Sequence, residues 1–201
     1  MPFQDVFVCC YHKEGACGPE VVNSEIEFEV ILEREEGATL GLDLDLLDGM
    51  TAVVYWVHPG AVERHNKVAA PDRQIMAGDA FYEVNGIRGS SHRIALAMKE
   101  GCRLALKFRR PRTFNVVFDR GDSVLGLDLN YVPTGDSLLI TKVEPGFVAD
   151  WNAANPAEAI QSYDRIVEVN SIRGFPKELL AEMQGSSRLQ LVIARTKRAG
   201  C

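Results

Sequence analysis

Apolar and polar residues alternate along much of the chain. Ile26, Phe28 and Val30 fall on one side of a period of two, and Glu25, Glu27 and Glu29 on the other. That pattern predicts a strand with one buried face. Leu40, Leu42, Leu44 and Leu46 continue it, with Asp43 and Asp45 opposed. The apolar run 52–57 predicts a further strand ending at the turn-forming Pro59-Gly60. Ala80 to Val84 predicts a short strand before the turn dipeptide Asn85-Gly86. The period changes from His92 to Lys99, where Ile94, Ala95, Leu96, Ala97 and Met98 suit a helix. Ser90 or Ser91 would cap its start, and Gly101 stops it. Alternation returns from Arg103 to Phe108.

The second half repeats the first. Leu40-Gly41-Leu42-Asp43-Leu44 recurs as Leu125-Gly126-Leu127-Asp128-Leu129, and Pro59-Gly60 as Pro145-Gly146. Val84-Asn85 recurs as Val169-Asn170, and Ile87-Arg88-Gly89 as Ile172-Arg173-Gly174. The offsets are 85, 86, 85 and 85 residues. A unit of that length suits a small domain rather than a solenoid repeat. Strands are expected at 114–118, 125–131, 138–143, 165–169 and 189–194, with a helix from Pro176 to Met183 stopped by Gly185. The Ala-rich stretch 147–162 predicts a helix, a break at Asn155-Pro156 and a further helical turn. The expected division is an extension over 1–25, units over 26–110 and 113–196, and a tail over 197–201.

Composition narrows the function class. The 201 residues are 46% hydrophobic and 25% charged, enough for two ordinary small cores. A net charge of −6 argues against nucleic acid as a partner. No apolar run approaches a membrane span, and the start lacks the basic region of a secretory signal. Five cysteines, an odd number, then point to reduced thiols and a cytoplasmic location. The chain has no Gly-x-Ser-x-Gly elbow, phosphate-binding loop or His-Glu-x-x-His motif. The expectation is a protein that is not an enzyme and uses no cofactor.

The ordered set Leu-Gly-Leu, Pro-Gly, Gly78-Asp79 or Tyr163-Asp164, and Val-Asn, found twice over 26–110 and 113–196, resembles the PDZ family. The resemblance implies an α+β, mainly β fold: two PDZ-like, partly open β-barrels or sandwiches, each of five to six strands capped by two helices. It also implies capture of partner C-terminal or extended peptide segments by strand addition, in an adaptor or scaffold. The amides of Leu40, Gly41 and Leu42, and of Leu125, Gly126 and Leu127, would form anion-binding nests for a terminal carboxylate. Glycine at the middle position would permit the backbone geometry. The peptide would run beside Asp43 and Leu44, or Asp128 and Leu129. On that edge the two carboxylates would favour basic residues upstream in the ligand.

The family usually has Gly at the first loop position, where this chain has Thr39 and Val124. It often carries a basic residue five positions before the loop's Leu. Arg120 stands there before Leu125, whereas in the first unit Glu35 takes the place and Arg34 is one residue too far. The second unit is therefore expected to be the better carboxylate binder. His92, or Ser91 by a count shifted by one, would select the ligand from the first unit's helix, together with Leu96. Pro176 or Lys177 holds the matching place in the second.

Other features have plainer readings. The arginines of 108–113 suit a short, stiff, solvated linker. Trp56 ends an apolar strand and is expected in the core, and Trp151 is expected to pack the 147–162 stretch onto its unit. Cys9, Cys10, His12 and Cys17 match no zinc-finger spacing, so no metal site is expected. Acylation of Cys9-Cys10 would make the protein membrane-peripheral, while Cys201 forms no prenylation box. Two other readings stay open: a regulatory or substrate-recognition part of a larger enzyme such as a protease, and a structural or self-assembling pair with closed grooves.

Overall fold

A computed structural model describes residues 24–197. The expectations for Cys9, Cys10, His12, Cys17 and Cys201 lie outside the described residues. The first unit runs β1 (Ile26–Glu33), β2 (Leu42–Asp45), β3 (Ala52–Val57), α1 (Ala61–Asn66), β4 (Ala80–Val84), β5 (Ile87–Arg88), α2 (Ser91–Ala97) and β6 (Arg103–Arg110). The second runs β7 (Arg112–Asp119), β8 (Leu127–Asn130), β9 (Leu138–Val143), α3 (Phe147–Ala154), β10 (Arg165–Val169), α4 (Pro176–Gly185) and β11 (Arg188–Arg195). A single 3-10 turn follows α1 at Pro71–Arg73 and α3 at Pro156–Glu158.

Both sheets are antiparallel, in the orders β1-β6-β4-β3-β2, with β5 on β4, and β7-β11-β10-β9-β8. Neither closes into a barrel. Each is an open sheet with two edges, in keeping with the expected partly open form, and its outermost strand, β2 or β8, spans four residues. Each sheet buries one face against its helices. The first core stacks Phe28 on Phe108, with Phe81 beside it. The second packs Phe118 against Phe147 and Trp151, so Trp151 does hold α3 onto its unit.

The repeated landmarks recur because they do the same backbone work. Asn85 and Asn170 have φ of 49° and 48°, a left-handed conformation that Asn tolerates. Their side chains accept from the amides of Ala105 and Gln190 on the last strand of each unit. Asp79 and Asp164 are buried and take paired hydrogen bonds from Arg110 and Arg195. A further pair was not singled out from the sequence. Asn66 and Asn152 each exchange two hydrogen bonds with the backbone of Ile75 and Ile160, closing the chain after α1 and α3.

Only Pro111 separates β6 from β7. The arginines around it are structural rather than a solvated linker. Arg110 is held by Asp79, Arg109 bonds Glu27 and the Lys197 carbonyl, and Arg112 lies over the Phe114 ring. Trp56 also departs from expectation. It is 47% exposed, and its indole N–H donates to the Thr134 carbonyl of the second unit at 3.2 Å. Trp56 lies on the face of β3 turned away from the core, on which Val54 and Val57 pack, and it meets the other unit.

Candidate functional site

Each Leu-Gly-Leu loop is clamped by its own carbonyls. Thr39 O and Leu40 O accept from the amides of Ala61 and Val62 at the start of α1. Val124 O and Leu125 O accept in the same way from Phe147 and Val148 of α3. Gly41 O and Gly126 O accept from His58 and Glu144. Leu42 and Leu127 pair with Val57 and Val143 next to those last bonds, so their own amides point to the open strand edge.

Glycine at the loop centre is required twice over. Gly41 and Gly126 have φ of 75° and 74°. A Cβ would sit 2.4 Å from the His58 carbonyl oxygen and 2.6 Å from that of Glu144. Without a Cβ at these positions the loop passes close against those carbonyls, and the Leu42 and Leu127 amides face the open edge.

In the second unit a cavity of about 300 Å³ runs along 124–129 and is bounded by Glu144, Pro145 and Met183. It lies between β8 and α4, as a strand-addition groove requires. Leu125, Leu127 and Leu129 are half-buried along it and pack on the core beneath. Their counterparts Leu42 and Leu44 do the same, and Leu40 is buried in the first core.

The helix residues fall differently from the expectation. Met183, which bounds the cavity, corresponds to Met98 at the 85-residue offset. One helical turn and two turns earlier lie Ala95 and Ser91, and Leu180 and Pro176. At about 100° per residue, His92 and Leu96 stand roughly 200–240° round from Met98. Both are exposed, Leu96 by 59%. Lys177 is likewise turned away, with its ammonium over the Phe175 ring. The helix begins at Ser91 with Ser90 as cap, and Ser91 rather than His92 stands on the helix face of Met98. The identical Met98 and Met183 were the sequence signal for this face.

Arg34 and Arg120 occupy the same place after all. Their backbone amides donate to Cys102 O and Ser187 O, a matched pair at the 85-residue offset. Arg34 bonds the carbonyls of Gly101, Ala38 and Lys99. Arg120 bonds those of Ser123 and Met183, and its Nε is buried with no partner. The extra residue of the first unit lies in the loop between Arg34 and Leu40, not in the strand, so a count along the sequence misplaced the arginine.

Asp43 is held by His58 at 2.7 Å. Asp128 is exposed and sits opposite Lys142. Lys142 itself bonds Glu144, which raises the ammonium's pKa above its ordinary value. Among the described residues no group of three or more His, Cys, Asp or Glu side chains gathers as a metal site.

Both units share one topology, an open antiparallel sheet with two α-helices. No protein-family model matches the chain, and no curated protein matches it. Among solved structures it is similar to INAD PDZ45 in complex with NG2 peptide, at 17% identity and a TM-score of 0.37 over 92% of this chain and 96% of that one. A complex of INAD PDZ45 and NORPA CC-PBM is similar at 16% identity and a TM-score of 0.36, over 91% of this chain and 97% of that one. MUPP1 PDZ4 is similar at 20% identity and a TM-score of 0.35, over 45% of this chain and 80% of that one.

Proposed function

We propose that the chain is a non-enzymatic adaptor that captures extended peptide segments of partner proteins, C-terminal tails above all. The carrying observation is the open β8 edge, where outward amides of the Leu125-Gly126-Leu127 loop meet an apolar cavity of about 300 Å³. A peptide laid against this edge extends the sheet by main-chain hydrogen bonds. Its terminal carboxylate lies at the loop amides, and its last side chain enters the cavity. Charge-assisted hydrogen bonds to a carboxylate are about twice as strong as neutral ones. The carboxylate is therefore the anchor, and the side chain supplies the selectivity.

Asp128 favours basic residues upstream in the ligand by about 0–1 kcal/mol, an effect that Lys142 across the strand pair reduces. The odd count of five cysteines fits reduced thiols and a cytoplasmic setting, and the charge of −6 favours peptide tails over nucleic acid as partners. Fractionation of Cys9→Ser and Cys10→Ser variants tests membrane attachment.

The test of the main reading is an array of C-terminal peptides probed with the full chain, each peptide also presented as its terminal amide. Binding that falls about tenfold or more on amidation is expected. Equal binding of the two forms would sink the carboxylate anchor. Binding of no peptide at all would favour the closed-groove reading.

A further inference from the structure

We infer that this tandem has a single carboxylate receptor, the second unit, because the first groove is shut at both ends by two of its own side chains, Thr39 and Ser91. The inference rests on the peptide-capture reading and assigns it to one of two sites that share a fold.

At the loop end, Thr39 Oγ1 accepts from the Gly41 amide at 3.1 Å. That oxygen occupies the position where a ligand carboxylate oxygen would dock on the nest. The matching residue, Val124, has no acceptor and is 77% exposed. Among the described residues the Gly126 amide has no acceptor from the protein. The same loop is therefore internally satisfied in one unit and waiting for an oxygen in the other.

At the far end, Ser91 Oγ donates to Leu46 O at 3.1 Å, and the Ser91 amide donates to Gly49 O at 3.1 Å. Leu46 directly follows β2, so the two bonds tie the groove's helix to its strand, and Ser91 is left only 1% exposed. The matching residue is Pro176, which has neither an amide hydrogen nor a hydroxyl. The staple cannot form in the second unit. The arginines beneath the loops differ in the same direction. Arg34 places Nε, Nη1 and Nη2 on carbonyls, whereas Arg120 keeps a buried Nε without a partner beside the second loop.

A ligand entering the first groove must break these internal bonds before it makes its own. Each neutral hydrogen bond lost weakens binding by about 2- to 12-fold. The difference between the units is a matter of two side chains and is reversible by substitution.

The experiment follows the Gly41 and Gly126 amide resonances of the full ¹⁵N-labelled chain. The probe is a pool of randomised hexapeptides ending in Val with a free carboxylate, alongside the same pool amidated. The wild type is expected to shift Gly126 with the free pool alone and to leave Gly41 in place. Thr39→Val with Ser91→Ala should bring Gly41 into response, so that two resonances titrate. Val124→Thr should weaken the Gly126 response by about 2- to 12-fold. Amide dispersion of each variant like that of the wild type shows that the fold is intact. Should Gly41 respond as strongly as Gly126 in the wild type, the single-receptor assignment falls while peptide capture stands. Should neither resonance move in any chain, both readings fall.

Discussion

Asp45 Oδ2 lies 2.6 Å from Arg165 Nη1, and this bond joins the two units. Both residues are buried, at 4% and 8% exposure. Asp45 ends β2 and Arg165 begins β10, 120 residues apart. The matching positions in the opposite units are Asn130 and Ala80, so neither charge is duplicated. Removing one partner breaks a buried ion pair, at a cost of about 3–5 kcal/mol. Asp45→Ala is expected to lose that amount in urea denaturation of the full chain, and Asp45→Leu with Arg165→Met to regain most of it. A loss by Asp45→Ala of under about 1 kcal/mol would show that the pair does not hold the junction.

Asp136 lies beside this contact and faces Arg165, Ser137 and Asp45. Burial raises its pKa first, and Asp45 adds to the rise, while Arg165 opposes it. A carboxyl with a raised folded-state pKa binds its proton more tightly when folded. Its contribution to stability is complete below the unfolded value of about 3.9 and is lost as pH rises through the folded value. Asp136→Asn is therefore expected to be more stable than the wild type at neutral pH, with the gap closing toward pH 4. Thermal melts of both chains over that range check this, and a gap that widens on acidification would contradict it.

The loop glycines separate two costs. Gly121 has φ of 54° with open space where a Cβ would sit. Gly121→Ala is expected to cost about 1–2 kcal/mol from the backbone conformation alone. Gly126→Ala adds a collision with the Glu144 backbone oxygen, which belongs to the segment that follows β9 and cannot swing aside. It is expected to cost clearly more and to abolish peptide binding. Equal urea midpoints for the two variants would refute the close approach.

The paired hydrogen bonds from Arg195 to Asp164 close the second unit as those from Arg110 to Asp79 close the first. Asp164 is 2% exposed and also accepts from the Gln161 amide. Asp164→Ala is expected to destabilise by about 3–5 kcal/mol, with hydrogen exchange rising first in 155–164. Wild-type protection in that segment would remove the role assigned to the aspartate.

How far the chain was readable differs from one residue to the next. Asn85 and Gly41 were visible because their tasks are local: a left-handed φ favours Asn or Gly, although Tyr163 and Ser171 also adopt it. His92 was misplaced because a helix face turns about 100° for each residue, so a start one residue earlier moves another side chain into the groove. Arg34 was misplaced because the strand kept its register while the loop after it gained a residue. Trp56 reads as core from its apolar neighbours, and only the presence of Thr134 beside it shows why it lies at the surface between units.

By itself the sequence determined the duplication, most of the strands and helices, and the two glycine-centred loops, since periodicity and backbone conformation act over a few residues. Tertiary structure alone decided that Asp45 meets Arg165 and that Ser91 meets Leu46, 45 residues away. It also decided that the sheets stay open. Such contacts depend on where distant backbone segments come to rest, and a single hydroxyl at Thr39 or Ser91 acquires its role only from the group placed opposite it.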